Sequence, residues 1–215
     1  MTSAPPSPDP TSDSEVITEA AVLRALAHPL RLRLLGLLRL YGPSTATRLA
    51  ERCSQSPALV SYHLRALAGG GAIVDAEADD LVGMTVHGRD RWWKAARRST
   101  LTALPPDDES GSAAAHEEYE AAVLAVYTQR AQGWLDVQPV WPREWRAAST
   151  FSDVPLRLTA DETRRLSDDM MALLAGYRRH DPSVDADAPA GSMVVAAQFL
   201  VFPEPDQEVP AEPRA

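Results

Sequence analysis

The sequence predicts an α+β protein in two units. Residues 15–100 read as four helices and a hairpin, and residues 113–204 as a mixed α/β unit. Three observations carry this. Apolar residues recur at helical spacing in four successive windows before residue 70. Two short stretches with apolar and aromatic residues follow a glycine triplet. A polar, proline-rich linker at residues 101–112 separates the halves.

The first predicted helix runs from Val16 to Ala27, with Val22, Leu23 and Leu26 on its inner side. His28-Pro29 interrupts it, because the residue before proline avoids the helical region. Pro29 then opens the second helix at its first position, where the missing N–H costs nothing. That helix carries Leu30, Leu34, Leu37 and Leu38 at helical spacing to about Tyr41, and Gly42-Pro43 ends it. Ser44 is the expected N-cap of a short third helix, in which Ala46, Leu49, Ala50 and Cys53 share one face. After Ser54-Gln55, Ser56 as N-cap and Pro57 at the first helical position open a fourth helix to about Leu67. Gly69-Gly70-Gly71 stops it. Residues 72–76 and about 90–96 are expected as two strands joined by a long loop.

In the second unit, residues 113–135 read as a long helix carrying Tyr119, Val123, Val126, Tyr127, Arg130 and Trp134. Phe151, Val154, Leu156 and Leu158 suggest extended chain. Thr159 and Glu162 form a T-x-x-E capping box before a helix expected to bury Leu166, Met170, Leu173, Leu174 and Tyr177. Val194 to Phe202 reads as a buried strand. Residues 1–14 and 205–215 have the composition of disordered tails.

With 45% hydrophobic residues, a 215-residue chain can build a real core. No apolar run approaches the ~20 residues of a membrane span. The N-terminus has no signal-peptide pattern, so the expected compartment is the cytoplasm, at the nucleoid. One cysteine, Cys53, excludes an internal disulfide and any multi-cysteine zinc site, and it reads as core. The net charge of −9 is unevenly spread. Residues 15–100 carry +4 and residues 101–215 carry −11. A basic first unit beside an acidic second one suits nucleic-acid binding at one end.

A short helix, a turn of about three residues and a second capped helix is the helix-turn-helix layout, whose second helix enters the DNA major groove. Val60, Leu64 and Leu67 lie on one face of that helix. Ala58, Ser61, Tyr62 and Arg65 point elsewhere, a small, hydroxyl-bearing, aromatic and cationic set. Such a face can approach a groove, and Arg65 can reach a phosphate or a guanine. Residues 57–70 contain no acidic residue that would repel phosphates. His63, beside Leu64, is expected in a structural role such as bonding to backbone. Trp92 and Trp93 alternate along a strand, so one should pack inward and the other face a different surface.

The stretches LAHPLRLRLL, QSPALVSYHLRAL and GRDRWWKAA resemble, in order, the second helix, the recognition helix and the second wing strand of ArsR-like transcriptional regulators of an actinobacterial branch. The resemblance covers roughly residues 18–98. It implies a winged helix-turn-helix that is usually dimeric and controls transcription by occupying operators. By that resemblance, Ser56, Ala58, Ser61, Tyr62 and Arg65 face the groove, and Ser44, Thr45 and Arg48 meet the phosphate backbone. Arg89 and Arg91 correspond to basic wing residues. The helix at 113–135 is placed to form a dimer interface. The second unit then serves dimerisation or the sensing of a small-molecule effector.

Two features depart from the pattern. The wing loop carries Glu77, Asp79 and Asp80, which suit a minor groove poorly. Metal-sensing relatives use cysteine pairs or His/Asp/Glu clusters, whereas here Cys53 stands alone. His116-Glu117-Glu118 makes a poor chelate, because adjacent residues point to different sides of a helix. The expectation is therefore no metal, no cofactor and no catalytic residue. The sequence has no glycine-rich phosphate loop, nucleophile elbow or HExxH motif. The acidic wing motivates one alternative, a winged-helix protein-interaction module that does not bind DNA.

Overall fold

The computed structural model describes residues 16–17, 20–86, 90–102, 111–183 and 188–208. Strand β1 (Val16–Ile17) precedes α1 (Ala20–Leu26) and α2 (Pro29–Tyr41). Strand β2 (Ser44–Thr45) leads into α3 (Ala46–Cys53) and then α4 (Pro57–Gly69). Strands β3 (Ile73–Asp75) and β4 (Trp92–Ala95) form the hairpin, with a 3-10 turn at Ala78–Leu81 in its loop. Strand β5 (Leu101–Thr102) precedes α5 (Ser112–Val137), and α6 (Arg143–Ala148) and α7 (Ala160–Ala175) follow.

The caps explain the helix boundaries. His28 is extended, and its Nδ1 accepts the Leu30 N–H at 3.1 Å, capping α2 one residue before Pro29. Gly42 ends α2 with φ 77°, a conformation glycine adopts without steric cost. At α3 the cap is Thr45 rather than the expected Ser44: the Thr45 hydroxyl accepts the Arg48 N–H at 3.3 Å. Ser44 is instead drawn into the sheet opposite Trp93.

The sheet is three-stranded and antiparallel, in the order β2-β4-β3. The sequence reading gave β3 and β4 and missed β2, which is only two residues long. It also placed Val16 and Ile17 in the first helix and residues 101–102 in the linker, whereas these pair as parallel strands β1 and β5 and α1 begins only at Ala20. Both Trp92 and Trp93 are only 4% exposed. The alternation is real, but both faces are covered. Trp93 enters the main core, while the Arg48 guanidinium lies 4.6 Å from the centre of the Trp92 ring.

One core unites the first unit. Leu23 and Leu26 of α1, Leu34, Leu35 and Leu38 of α2, and Leu49, Ala50 and Cys53 of α3 meet Val60, Leu64 and Leu67 of α4. Ile73 and Trp93 close it from the sheet. Cys53 is a free, buried thiol whose pKa burial pushes up. At the end of α4, Gly70 lies so close to α1 that a Cβ there would collide with the Cβ of Ala25.

Helix α5 is where the two-unit division blurs. Its first half packs on α1 and α2, and Ala115 and Tyr119 join the first unit's core. Arg39 is half-buried nearby, where its guanidinium donates to the Arg97 carbonyl at 2.9 Å and to Thr100 Oγ1 at 2.7 Å. Burial lowers its pKa to about 10, so it stays cationic at neutral pH.

Beyond α5 the chain is open. The Thr159–Glu162 capping box forms as expected: the Glu162 carboxylate accepts the Thr159 N–H at 2.8 Å, and Thr159 Oγ1 accepts the Glu162 N–H at 3.3 Å. Yet α7 buries none of its residues, contrary to the expectation for Leu166, Met170, Leu173 and Leu174. Residues 194–202 are extended but neither paired nor buried, which corrects the reading as a buried strand. A strand needs a paired neighbour and a covering layer, and among the described residues of a single chain neither is supplied. After α7 the chain returns to the first unit. His180 Nε2 lies 2.7 Å from the Leu40 carbonyl, and Asp181 pairs with Arg98 at 2.5 Å.

Candidate nucleic-acid interface

Helices α3 and α4 are joined by a turn whose geometry Ser54 sets. It adopts the left-handed conformation, φ 54° and ψ 46°, and its N–H bonds back to the Ala50 and Glu51 carbonyls. Gln55 N–H donates to the Ala50 carbonyl at 2.9 Å, closing the turn. Ser56 Oγ then accepts the Leu59 N–H at 3.2 Å, which leaves its hydroxyl hydrogen free to donate outward.

Val60, His63, Leu64 and Leu67 point into the core, which fixes how α4 is rotated about its axis. The opposite side carries Ala58, Tyr62 and Arg65, all exposed, with Ser61 half-buried at its edge. Tyr62 is 62% exposed. Among the described residues Arg65 has no hydrogen-bond or ion-pair partner. Two further residues of this surface were missed by the sequence reading. Gln55 and Leu59 are exposed where α4 begins, adjoining Ala58 and Tyr62. Helical spacing from Arg65 finds Tyr62 and Ala58, as the sequence reading did, but Leu59 reads as core until the rotation of α4 is known.

The remaining cations of the first unit are differently placed. Ser44 and Thr45 are buried, and the Thr45 hydroxyl oxygen accepts the cap bond from the Arg48 N–H. Arg48 is exposed but donates to the Thr85 carbonyl at 3.1 Å while covering Trp92. Arg91 makes a two-pronged bond to the Asp75 carboxylate across the hairpin, at 2.6 and 2.9 Å, and stacks 3.9 Å from the Trp93 ring centre. This guanidinium holds the Asp75 carboxyl below its usual range. Lys94 pairs with Asp80 at 2.6 Å, and Asp80 also accepts the Glu77 N–H. Thus part of the acidic wing loop is neutralised by the wing's own cations. Arg89 lies outside the described residues.

Beneath the outward face, His63 packs its ring 4.5 Å from that of His28. The expected backbone bond is absent: His63 Nδ1 is enclosed and has no hydrogen-bond partner among the described residues. Burial, then the neighbouring His28 and Arg31, hold the His63 pKa below 6.5. Burial and Arg31 do the same to His28. Both rings are neutral at pH 7. The unfolded chain takes up protons near pH 6.5, and the folded chain resists until lower pH, so stability falls as pH drops below about 6.5. The carboxyls with lowered pKa lose their contribution only below their ordinary value of about 4, outside this window. The melting temperature is therefore expected to fall from pH 7 to pH 5, and less steeply in His63→Gln. Equal slopes in the two proteins would remove His63 as a source.

Residues 26–75, from the end of α1 through β3, match the family model of a helix-turn-helix domain. The chain carries a helix-turn-helix. No curated protein matches the chain. The matched segment holds both helices, the Ser54 turn and the outward face of α4, and it stops before the second wing strand. Among the described residues no three His, Cys, Asp or Glu side chains come together as a metal set, and no helix is long and apolar enough to cross a membrane.

Proposed function

We propose that this protein is a DNA-binding transcriptional regulator of the ArsR-like, actinobacterial type, acting as a repressor. Two copies place their α4 helices in adjacent major-groove segments of a pseudo-palindromic operator, about one helical turn apart. The observation that carries this reading is the outward face of α4. It combines an exposed Tyr62, an unpaired Arg65 and small residues, with no carboxylate anywhere in residues 57–70.

The residues divide by task. Arg65 is set for a guanine edge or a phosphate, and Tyr62 and Leu59 for apolar contact with bases. Ser56 and Ser61 supply hydroxyl donors, and Ala58 lets the helix approach closely. Arg48, at the first turn of α3, reaches the backbone from beside the groove. Ser44 and Thr45, being buried, hold Arg48 in place through the sheet and the cap. Arg91 contributes less than an open arginine, because a phosphate must displace Asp75. The exposed apolar residues Leu124 and Leu135 of α5 support dimerisation through that helix.

The test is fluorescence anisotropy of the purified protein on DNA from upstream of its own gene, with a scrambled duplex as competitor. Salt is stepped from ~50 to ~200 mM. Saturable binding that resists the competitor and weakens steeply with salt is expected. If a genome-wide DNA pull-down also recovers no preferred sequence, the reading fails and a protein-interaction module takes its place.

A further inference from the structure

Two extended, apolar segments lie outside the DNA-reading surface, and most of their side chains are exposed, with Gln198, Phe199 and Val201 half-buried. Residues 151–158 and 193–202 are both extended. Among the described residues, none of their backbone N–H or C=O groups bonds to another backbone group. Phe151, Val154 and Val195 are 65%, 68% and 71% exposed, and Leu200, Phe202 and Tyr177 are also exposed. Unpaired strand edges with apolar side chains template pairing with another chain.

We propose that these two segments are halves of a sheet completed by a second copy of this chain. The inference rests on the dimeric reading above, but assigns the main contact to the C-terminal arm rather than to α5. Three features favour a second copy over a foreign partner. The first is area. Nine apolar side chains of the two segments, from Phe151 to Phe202, are 41–71% exposed, a continuous stock of apolar surface for an interface, which takes roughly 800 Å² from each partner. In a protein read as a dimer, the second copy is the partner already present in equal amount.

The second feature is charge. Residues 192–202 carry none, so the segment can lie antiparallel against its own copy across a two-fold axis without setting like charges opposite each other. The third is the placing of proline. Residues 193–202 contain neither proline nor glycine, as an interior strand requires, whereas Pro155 confines 151–158 to an edge. The resulting order has the two copies of 193–202 at the axis and the two copies of 151–158 outside them. The His180 and Asp181 contacts anchor the base of the arm to the first unit, so this sheet would also set the spacing of the two α4 helices.

The experiment is sedimentation equilibrium of the full chain and of Val195→Lys, with circular dichroism as the check on folding. A dimeric parent and a folded, monomeric variant are expected. A parent and variant that are both dimeric would overturn this inference and leave dimerisation through α5 standing. A monomeric parent would overturn both. A second measurement holds if Val195→Lys does not fold. Cys53 is buried, and in a Cys53→Ala background single cysteines are placed by Val194→Cys, Ala197→Cys and Phe202→Cys. Mild oxidation should give a covalent dimer most readily at 197, near the axis, with a yield unchanged by tenfold dilution. Failure to cross-link at all three positions, or a yield that is highest at 202, would overturn the antiparallel pairing.

Discussion

Leu64→Ala is expected to lower the stability of the first unit by about 2–5 kcal/mol, the cost of a cavity at a fully enclosed leucine. Leu64 is 0% exposed and sits in the core formed by α1, α2, α3 and the sheet. The same side chain fixes the rotation of α4, so the substitution should also loosen the DNA-reading face before the domain unfolds. Small domains hold only about 5–15 kcal/mol in total, so a loss of this size is easily measured by urea titration followed by circular dichroism. Leu59→Ala supplies the contrast. Five residues earlier on α4 but exposed, it should change stability by roughly 0.5 kcal/mol or less. Equal losses in the two variants would mean that α4 does not turn Leu64 inward and Leu59 outward.

Arg65→Ala is expected to do the opposite. Stability should hold, since the guanidinium has no partner within the described chain. Operator affinity should fall by about 1–3 kcal/mol, roughly 5- to 150-fold. The form of the loss identifies the contact. A base contact relaxes specificity at one operator position. A phosphate contact weakens all sequences alike and lowers the salt slope by about 1. Arg91→Ala is the control: Arg91 is held by Asp75, so its removal should cost less. Unchanged operator affinity in Arg65→Ala would remove α4 as the reading helix.

Much of the helix-turn-helix is legible in the sequence, because its determinants are local. Pro29 and Pro57 open helices, Gly42 closes one, and Ser56 caps another, each through the conformation of a single residue. The apolar spacing of Val60, Leu64 and Leu67 set the inner face of α4, and the outward face followed by exclusion. The Thr159–Glu162 box was equally readable, since both partners lie within one turn.

Other features depend on residues far apart in the chain, which no local period reports. Leu59 and Gln55 joined the candidate surface only once the core had fixed the rotation of α4. Asp75 and Arg91 lie 16 residues apart, and their pairing was set by the hairpin register, which turned an expected DNA-contacting cation into an internal partner. Ser44 and Thr45 were drawn inward by β2, a strand too short to leave a pattern. Trp92 and Trp93 alternate as strand residues must, but whether each face is covered depends on α3 and the core. The run 194–202 carries the composition of a buried strand because composition records what a segment needs, whereas burial requires a neighbour to supply it. By itself, then, the sequence determined which helices form, where they begin and what chemistry α4 turns outward, since these follow from backbone preferences within a turn or two. Only the tertiary structure decided which charges are already paired, which hydroxyls are hidden and which apolar strands stand uncovered, because each of those depends on what the rest of the chain brings alongside.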